Sequence, residues 1–166
     1  IGGPQSGIIV GKKSIIKSLQ KNTLYRTFRP DKLTIGLLEV ILRSYRAKSF
    51  SKDNLSLNML KTSRNTLKKR GEKVINLINK STVNDLDISL VPSLVEAGSG
   101  SLPEKNIKSM ALSFNPKFIK CSALAKKLRI GKTPVVGFIK ENRFYIDLKA
   151  ILPNQLIKLS QAINSI

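Results

Sequence analysis

Toward its C-terminal end the chain carries two strand-like runs, residues 135–140 and 143–148, split by the two-residue turn Glu141-Asn142. That spacing predicts a β-hairpin, the narrowest structural commitment anywhere in the chain. The surrounding pattern extends it. Leu57, Leu60, Leu67, Val74, Leu77 and Ile78 fall on one helical stripe reaching about Lys80, which Gly71 interrupts softly. Strands follow at residues 88–95 and 107–114, separated by a Gly/Ser/Pro loop at 98–103, and Asn115-Pro116 closes the second strand. Leu124, Ala125 and Leu128 mark a helix ended by Gly131, and a last helix starts near Pro153 and uses Leu156, Ile157 and Ile163. The expected order from residue 54 is therefore α-β-β-α-β-β-α, a two-layer α+β domain with helices on one face of a mainly antiparallel sheet.

The first 50 residues read differently. Residues 7–10 are a short β-branched run bounded by glycines, expected as a buried strand although nothing nearby could pair with it. Ile15, Ile16 and Leu19 then recur at helical spacing up to Asn22, with Lys12, Lys13 and Lys17 on the wet side. A basic elbow spans residues 24–30. Pro30 fits the first position of the next helix, where a missing N–H costs nothing, and Leu33, Leu37, Leu38, Ile41, Leu42 and Tyr45 continue that helix. Ile35 and Val40 widen its apolar face beyond what the first 50 residues can cover.

Composition removes several classes of function. With no histidine and the single Cys121, His-based catalysis, a disulfide and a zinc site of the usual Cys and His types are all excluded. Lys+Arg outnumber Asp+Glu by 30 to 10, a net charge of +20, which suits an anionic partner such as nucleic acid, a phosphorylated substrate or a membrane surface. The same lysine excess is also what an AT-rich coding sequence gives without any partner. No apolar run approaches the roughly 20 residues that span a bilayer, and no signal peptide is visible, so a cytoplasmic protein is expected. A chain opening on Ile1-Gly2-Gly3-Pro4 reads as a piece of something longer.

Three motifs resemble sites but lack their context. Gly131-Lys132-Thr133 has the ending of a phosphate-binding loop, yet it runs from helix into strand rather than the reverse. Gly98-Ser99-Gly100 lacks the third glycine of a dinucleotide fingerprint, Pro103 standing in its place. Cys121 lies close to a helix's apolar stripe and reads as a small core residue. Arg26 and Arg29 are different, because i and i+3 side chains share a face if the elbow is helical or tightly turned, and two guanidiniums can then fork onto one phosphate. A solvated basic elbow would have the same spacing.

Longer blocks carry a resemblance. Gly2-Gly3-Pro4-Gln5-Ser6-Gly7-Ile8-Ile9-Val10-Gly11-Lys12-Lys13 and Leu24-Tyr25-Arg26-Thr27-Phe28-Arg29-Pro30-Asp31-Lys32-Leu33-Thr34 closely resemble the bacterial selenocysteine synthases, the L-seryl-tRNA(Sec) selenium transferases. The likeness continues through Ala97-Gly98-Ser99-Gly100-Ser101-Leu102-Pro103 and from Thr133-Pro134-Val135-Val136-Gly137 to Asp147-Leu148. It covers essentially the whole chain.

The resemblance implies an enzyme of PLP fold-type I that makes selenocysteinyl-tRNA(Sec) from seryl-tRNA(Sec) and selenophosphate, using pyridoxal 5'-phosphate (PLP). It implies that residues 1–50 are the C-terminal remnant of an α/β large domain and that 54–166 form the small α+β domain. The family's Schiff-base lysine would lie just upstream of Ile1, so no catalytic residue is expected in this chain, which would be inactive alone. Arg26 and Arg29 match arginines that line the selenophosphate pocket, while Gly2, Gly3 and Gln5 match a loop beside the cofactor. A homo-oligomer, decameric in the family, is implied, with no metal and no membrane. Two positions depart from the family pattern: Pro30 replaces a valine, and Ser99 replaces the middle glycine of a Gly-Gly-Gly-Ser-Leu-Pro turn. Two other readings compete with this one, a truncated gene product without activity and a stand-alone basic RNA-binding module. The last predicts exposed aromatics on the sheet, but Phe138, Phe144 and Tyr145 are few and no RNA-recognition signature surrounds them.

Overall fold

A computed structural model describes residues 2–50, 54–96 and 107–166. The chain divides into two compact units, Ile1–Asn58 and Met59–Ile166. The first holds helix α1 (Lys13–Lys21), a 3-10 turn (Thr23–Arg26) and helix α2 (Lys32–Arg46), with α3 (Leu55–Lys61) beginning near its end. Asp31 starts α2 by taking the Thr34 N–H on one carboxylate oxygen and the Thr34 hydroxyl on the other, both at 2.8 Å. The Thr34 N–H, followed by its hydroxyl, holds the Asp31 carboxyl below its ordinary pKa. Pro30 therefore precedes the cap and the helix starts two residues later than expected, at Lys32, with a plain cause: Asp31 is the better N-cap.

The strand expected at residues 7–10 does not form. Ile8, Ile9 and Val10 are 50%, 74% and 89% exposed and belong to no ladder, since a strand needs a partner to satisfy its backbone groups. None of the described residues of this unit is buried, and α1 and α2 present their apolar faces to solvent.

The second unit has a core. Its sheet comprises β1 (Ser89–Val95), β2 (Ile107–Phe114), β3 (Phe138–Lys140) and β4 (Arg143–Asp147) in the order β1-β2-β4-β3, each neighbouring pair antiparallel. Strand periodicity sends Met110, Leu112 and Phe114 of β2 and Phe144 and Ile146 of β4 to one face, where all are buried. Onto that face pack α4 (Arg64–Leu77) through Leu67 and Val74 and α6 (Cys121–Ile130) through Leu124 and Leu128, while α7 (Leu156–Asn164) packs on α4 with Leu159 and Ile163 in the same core. Phe114 and Phe144 meet at its centre, their rings 5.6 Å apart and tilted. The two-layer α+β expectation for this part of the chain is met.

Local details differ from the sequence reading. The single stripe from Leu57 to Ile78 is broken into α3 and α4, and a further short helix, α5 (Lys80–Asp85), follows where none was expected. Ser63 caps α4 by accepting the Thr66 N–H at 3.2 Å, and beyond Leu77 the chain turns extended at Ile78. Asn164 of α7 ties down that end, accepting the Asn79 N–H at 2.9 Å and donating to the Leu77 carbonyl at 3.2 Å. In the hairpin, Glu141 and Asn142 both have positive φ, 49° and 58°, as a two-residue turn with the twist of its strands requires. Its first strand is shorter than expected. Val135 spends its N–H on the Leu128 carbonyl at 2.9 Å, so residues 135–137 serve as the link from α6. The loop expected at 98–103 lies outside the described residues.

Two glycines mark close approaches. A Cβ at Gly71 would sit 2.4 Å from a Leu90 methyl and 2.8 Å from a Leu148 methyl, so this glycine lets α4 seat on the sheet instead of merely softening a helix. A Cβ at Gly137 would sit 2.2 Å from the Tyr145 carbonyl oxygen. Leucine methyls can rotate away and a paired backbone carbonyl cannot. Gly71→Ala should therefore cost about 1–3 kcal/mol, as overpacking does, while Gly137→Ala should cost more and shorten the hairpin, both measured by urea unfolding.

Lys149 is buried, and its ammonium donates to the carbonyls of Leu60 at 3.4 Å and Thr62 at 3.1 Å. Burial pushes its pKa below the ordinary 10.5, with the Asp147 carboxylate opposing that push. The unfolded chain then binds more protons than the folded one between the depressed value and 10.5, so this group adds stability as pH rises through that window. Urea midpoints across this range should rise relative to those of Lys149→Met; parallel profiles for the two proteins would contradict the assignment.

Candidate anion and cofactor site

The residues singled out for function lie in the first unit. Asn22 opens the 3-10 turn Thr23–Arg26 by accepting the Leu24 N–H at 2.9 Å. The Thr27 N–H reaches the Leu24 carbonyl at 3.0 Å, and the Arg29 N–H reaches the Arg26 carbonyl at 3.4 Å. The elbow is thus tightly turned, the condition under which positions 26 and 29 share a side. Both arginines are exposed, and among the described residues neither has an acidic partner. Two uncompensated guanidiniums one turn apart can take a phosphate bidentately, and an exposed pair does so without prior desolvation.

Gly2 and Gly3 both lie in the left-handed region, at φ of 80° and 103°. A Cβ at Gly2 would strike the Asn54 amide nitrogen at 1.9 Å, and one at Gly3 would come within 3.0 Å of Ile41. The backbone conformation requires glycine here, whereas the nearby Asn54 and Ile41 side chains could move aside. Gln5 is exposed on the same segment. Beside it, Gly7, Ile9, Leu19, Leu24, Tyr25 and Phe28 are among the residues lining an apolar pocket of about 560 Å³, whose lining does not include either arginine.

The remaining candidates are structural. Gly131 caps α6 and leads out of a helix, the wrong direction for a phosphate loop. Cys121 is in the core, its thiol 3.2 Å from the Asn142 carbonyl. Among the described residues no group of three or more His, Cys, Asp or Glu side chains could hold a metal, and no helix is long and apolar enough to cross a membrane.

The sequence reading missed a polar cluster on the sheet face opposite the core. There Asp147 accepts the hydroxyls of Ser93 and Ser109, each at 2.6 Å, and the Lys149 N–H at 2.9 Å. Arg143 donates to Ser113 and to Asp87, each at 3.2 Å, and Phe138 stacks on Tyr145 with ring centres 5.3 Å apart. The alternation of Ser109, Ala111 and Ser113 along β2 was the available signal that this face is polar.

A family model described as L-seryl-tRNA selenium transferase matches residues 1–152. The chain belongs to that family. It is 34% identical to the L-seryl-tRNA(Sec) selenium transferase of Desulfotalea psychrophila over 94% of its length. It is 34% identical to the same enzyme of Alkaliphilus oremlandii and 29% identical to that of Aquifex aeolicus, each over its whole length. The chain spans about a third of these selenium transferases, 34% to 36% of their lengths.

The two units differ in burial. An assembly of helices with no buried residue lacks a core of its own, whereas the second unit is closed around one. Limited proteolysis of the 166-residue chain should cut at the lysines and arginines between Lys12 and Lys48 before any bond of the second unit. Equal resistance of both units would count against this.

Proposed function

We propose that this chain is the C-terminal part of a PLP-dependent transferase that converts seryl-tRNA(Sec) to selenocysteinyl-tRNA(Sec) with selenophosphate, in the cytoplasm and as a homo-oligomer. The observation that carries the reading is the family match over residues 1–152, which includes every candidate site residue. In this reading residues 1–50 complete a fold-type I large domain, and 54–166 are the small domain. The exposed apolar faces of α1 and α2 support it, because they are the faces such a domain would cover.

The residues present fit a phosphate-bearing group: two guanidiniums without acidic partners, and a glycine pair whose conformation lets backbone approach closely. When bound, PLP supplies the electron sink that lets a seryl α-proton and β-hydroxyl depart. The chain's own contribution is positional. Arg26 and Arg29 hold the selenophosphate by its oxygens, Gly2 and Gly3 bend the backbone beside the cofactor, and Gln5 lies in that loop. Asp31 sets the start of α2 immediately after Arg29 and so fixes where the second arginine emerges. No residue of this chain is assigned the covalent lysine, so the chain alone should yield no borohydride-fixed PLP on one specific lysine.

The test grafts this chain onto the Desulfotalea psychrophila enzyme in place of its matching third. In that chimera, Arg26→Ala or Arg29→Ala should raise the KM for selenophosphate or lower kcat/KM by the loss of a charge-assisted bond, about 1.5–3 kcal/mol or roughly 10- to 100-fold. Lysine at either position should fall between, since it keeps charge and loses the fork. Seryl-tRNA affinity should barely change. Equal losses for both substrates would assign the arginines to folding or tRNA contact.

A further inference from the structure

The sheet face opposite the core has a use that the transferase reading does not absorb. A groove of about 600 Å³ crosses it, lined among others by Phe138 and Lys140 of β3, Arg143 and Tyr145 of β4 and Val91 of β1. Pairing explains the placement, since Phe138 and Ser113 both sit opposite Tyr145, so alternation puts all three on one face. Phe144, between the strand positions of Arg143 and Tyr145, points the other way and is buried. Phe138 is 47% exposed although it stacks on Tyr145.

Charge on the groove is one-sided. Arg64, Lys108, Lys140 and Arg143 line it against the single acid Glu141. Arg143 is held in place by Ser113 and by Asp87, whose carboxylate offsets part of its charge, and Lys140 is 3.9 Å from Glu141. The Asp147 carboxylate nearby is engaged by two serine hydroxyls. A half-exposed aromatic pair with the cross-strand cations Lys140 and Arg143 next to it along the strands is a surface on which a base can stack and a phosphate can follow.

We propose that this face docks an unpaired stretch of RNA, a base against the Phe138–Tyr145 pair and the flanking phosphates along Lys140 and Arg143. That the strand is RNA rests on the transferase reading above; that the surface suits a single strand rests on the aromatics and charge alone. A duplex hides its bases and could use only the cations, which makes strandedness the discriminating variable.

The experiment is fluorescence anisotropy of the full 166-residue chain with a labelled 12-nucleotide oligouridine, with the matching RNA duplex as comparison. The single strand should bind more tightly than the duplex. Phe138→Ala should weaken it by about tenfold, and Lys140→Glu should weaken it and flatten its salt dependence. Lys12→Ser, in the other unit, should change it little. Phe138 lies exposed on an edge strand, so its variant should keep the wild-type melting curve; as a second readout, the Tyr145 ring resonances of the wild-type chain should shift on titration. Equal binding of single strand and duplex, or an unchanged affinity in Phe138→Ala, would overturn the proposal, as would absence of binding. None of those results touches the selenophosphate kinetics of the chimera, so failure here and failure of the transferase reading remain separate outcomes.

Discussion

The second unit depends on one carboxylate. Asp147 ends β4 and gathers Ser93 from β1, Ser109 from β2 and the N–H of Lys149, which begins the 3-10 turn Leu148–Ala150. Three strands and the exit of the sheet are thereby fixed in register at one point. A charged acceptor with three donors is among the stronger hydrogen-bonding arrangements available to a half-buried group. Its neighbour Lys149 extends the reach, because its buried ammonium holds the carbonyls of Leu60 and Thr62 at the segment between α3 and α4. Leu148, between them, is fully buried in the core and meets the helix layer at Gly71. Sheet register, helix seating and the entry segment are therefore coupled through three consecutive residues.

The first unit has no such centre. Asp31 caps α2 and Asn22 caps the 3-10 turn, yet the described residues of this unit are all at least partly exposed. Capping satisfies orphan backbone groups locally, but apolar faces need a second surface. The contrast between the units is that, among the described residues, only the second supplies that surface. It also explains why the candidate anion site is made of backbone conformation and charge rather than of a cavity: the turn that spaces Arg26 and Arg29 is local, and local structure survives without a core.

Legibility followed the range of the interactions. The hairpin turn at Glu141-Asn142, strand 107–114, the helix ending at Gly131 and the spacing of Arg26 and Arg29 were all readable, since each is set by neighbours within a few residues. The break of the long helical stripe at Ser63 was also local, but a continuous apolar period across it concealed the cap. The strand expected at residues 7–10 was misread for the opposite reason. Its composition was strand-like, and composition does not supply a partner.

The sequence by itself determined helices α1, α2, α6 and α7, where the hairpin turns, the family, and the excess of positive charge. Those follow from steric preference, hydrophobic period and motif, which are properties of short stretches. Only the tertiary structure decided that Phe138 and Tyr145 share the outer face while Phe144 enters the core, and that Asp147 meets Ser93 and Ser109 across 54 and 38 residues of chain. It also decided that Gly71 and Gly137 are close approaches. Each of these requires knowing which strand lies beside which, and strand pairing is chosen by burial summed over the whole unit, a quantity that no short stretch contains.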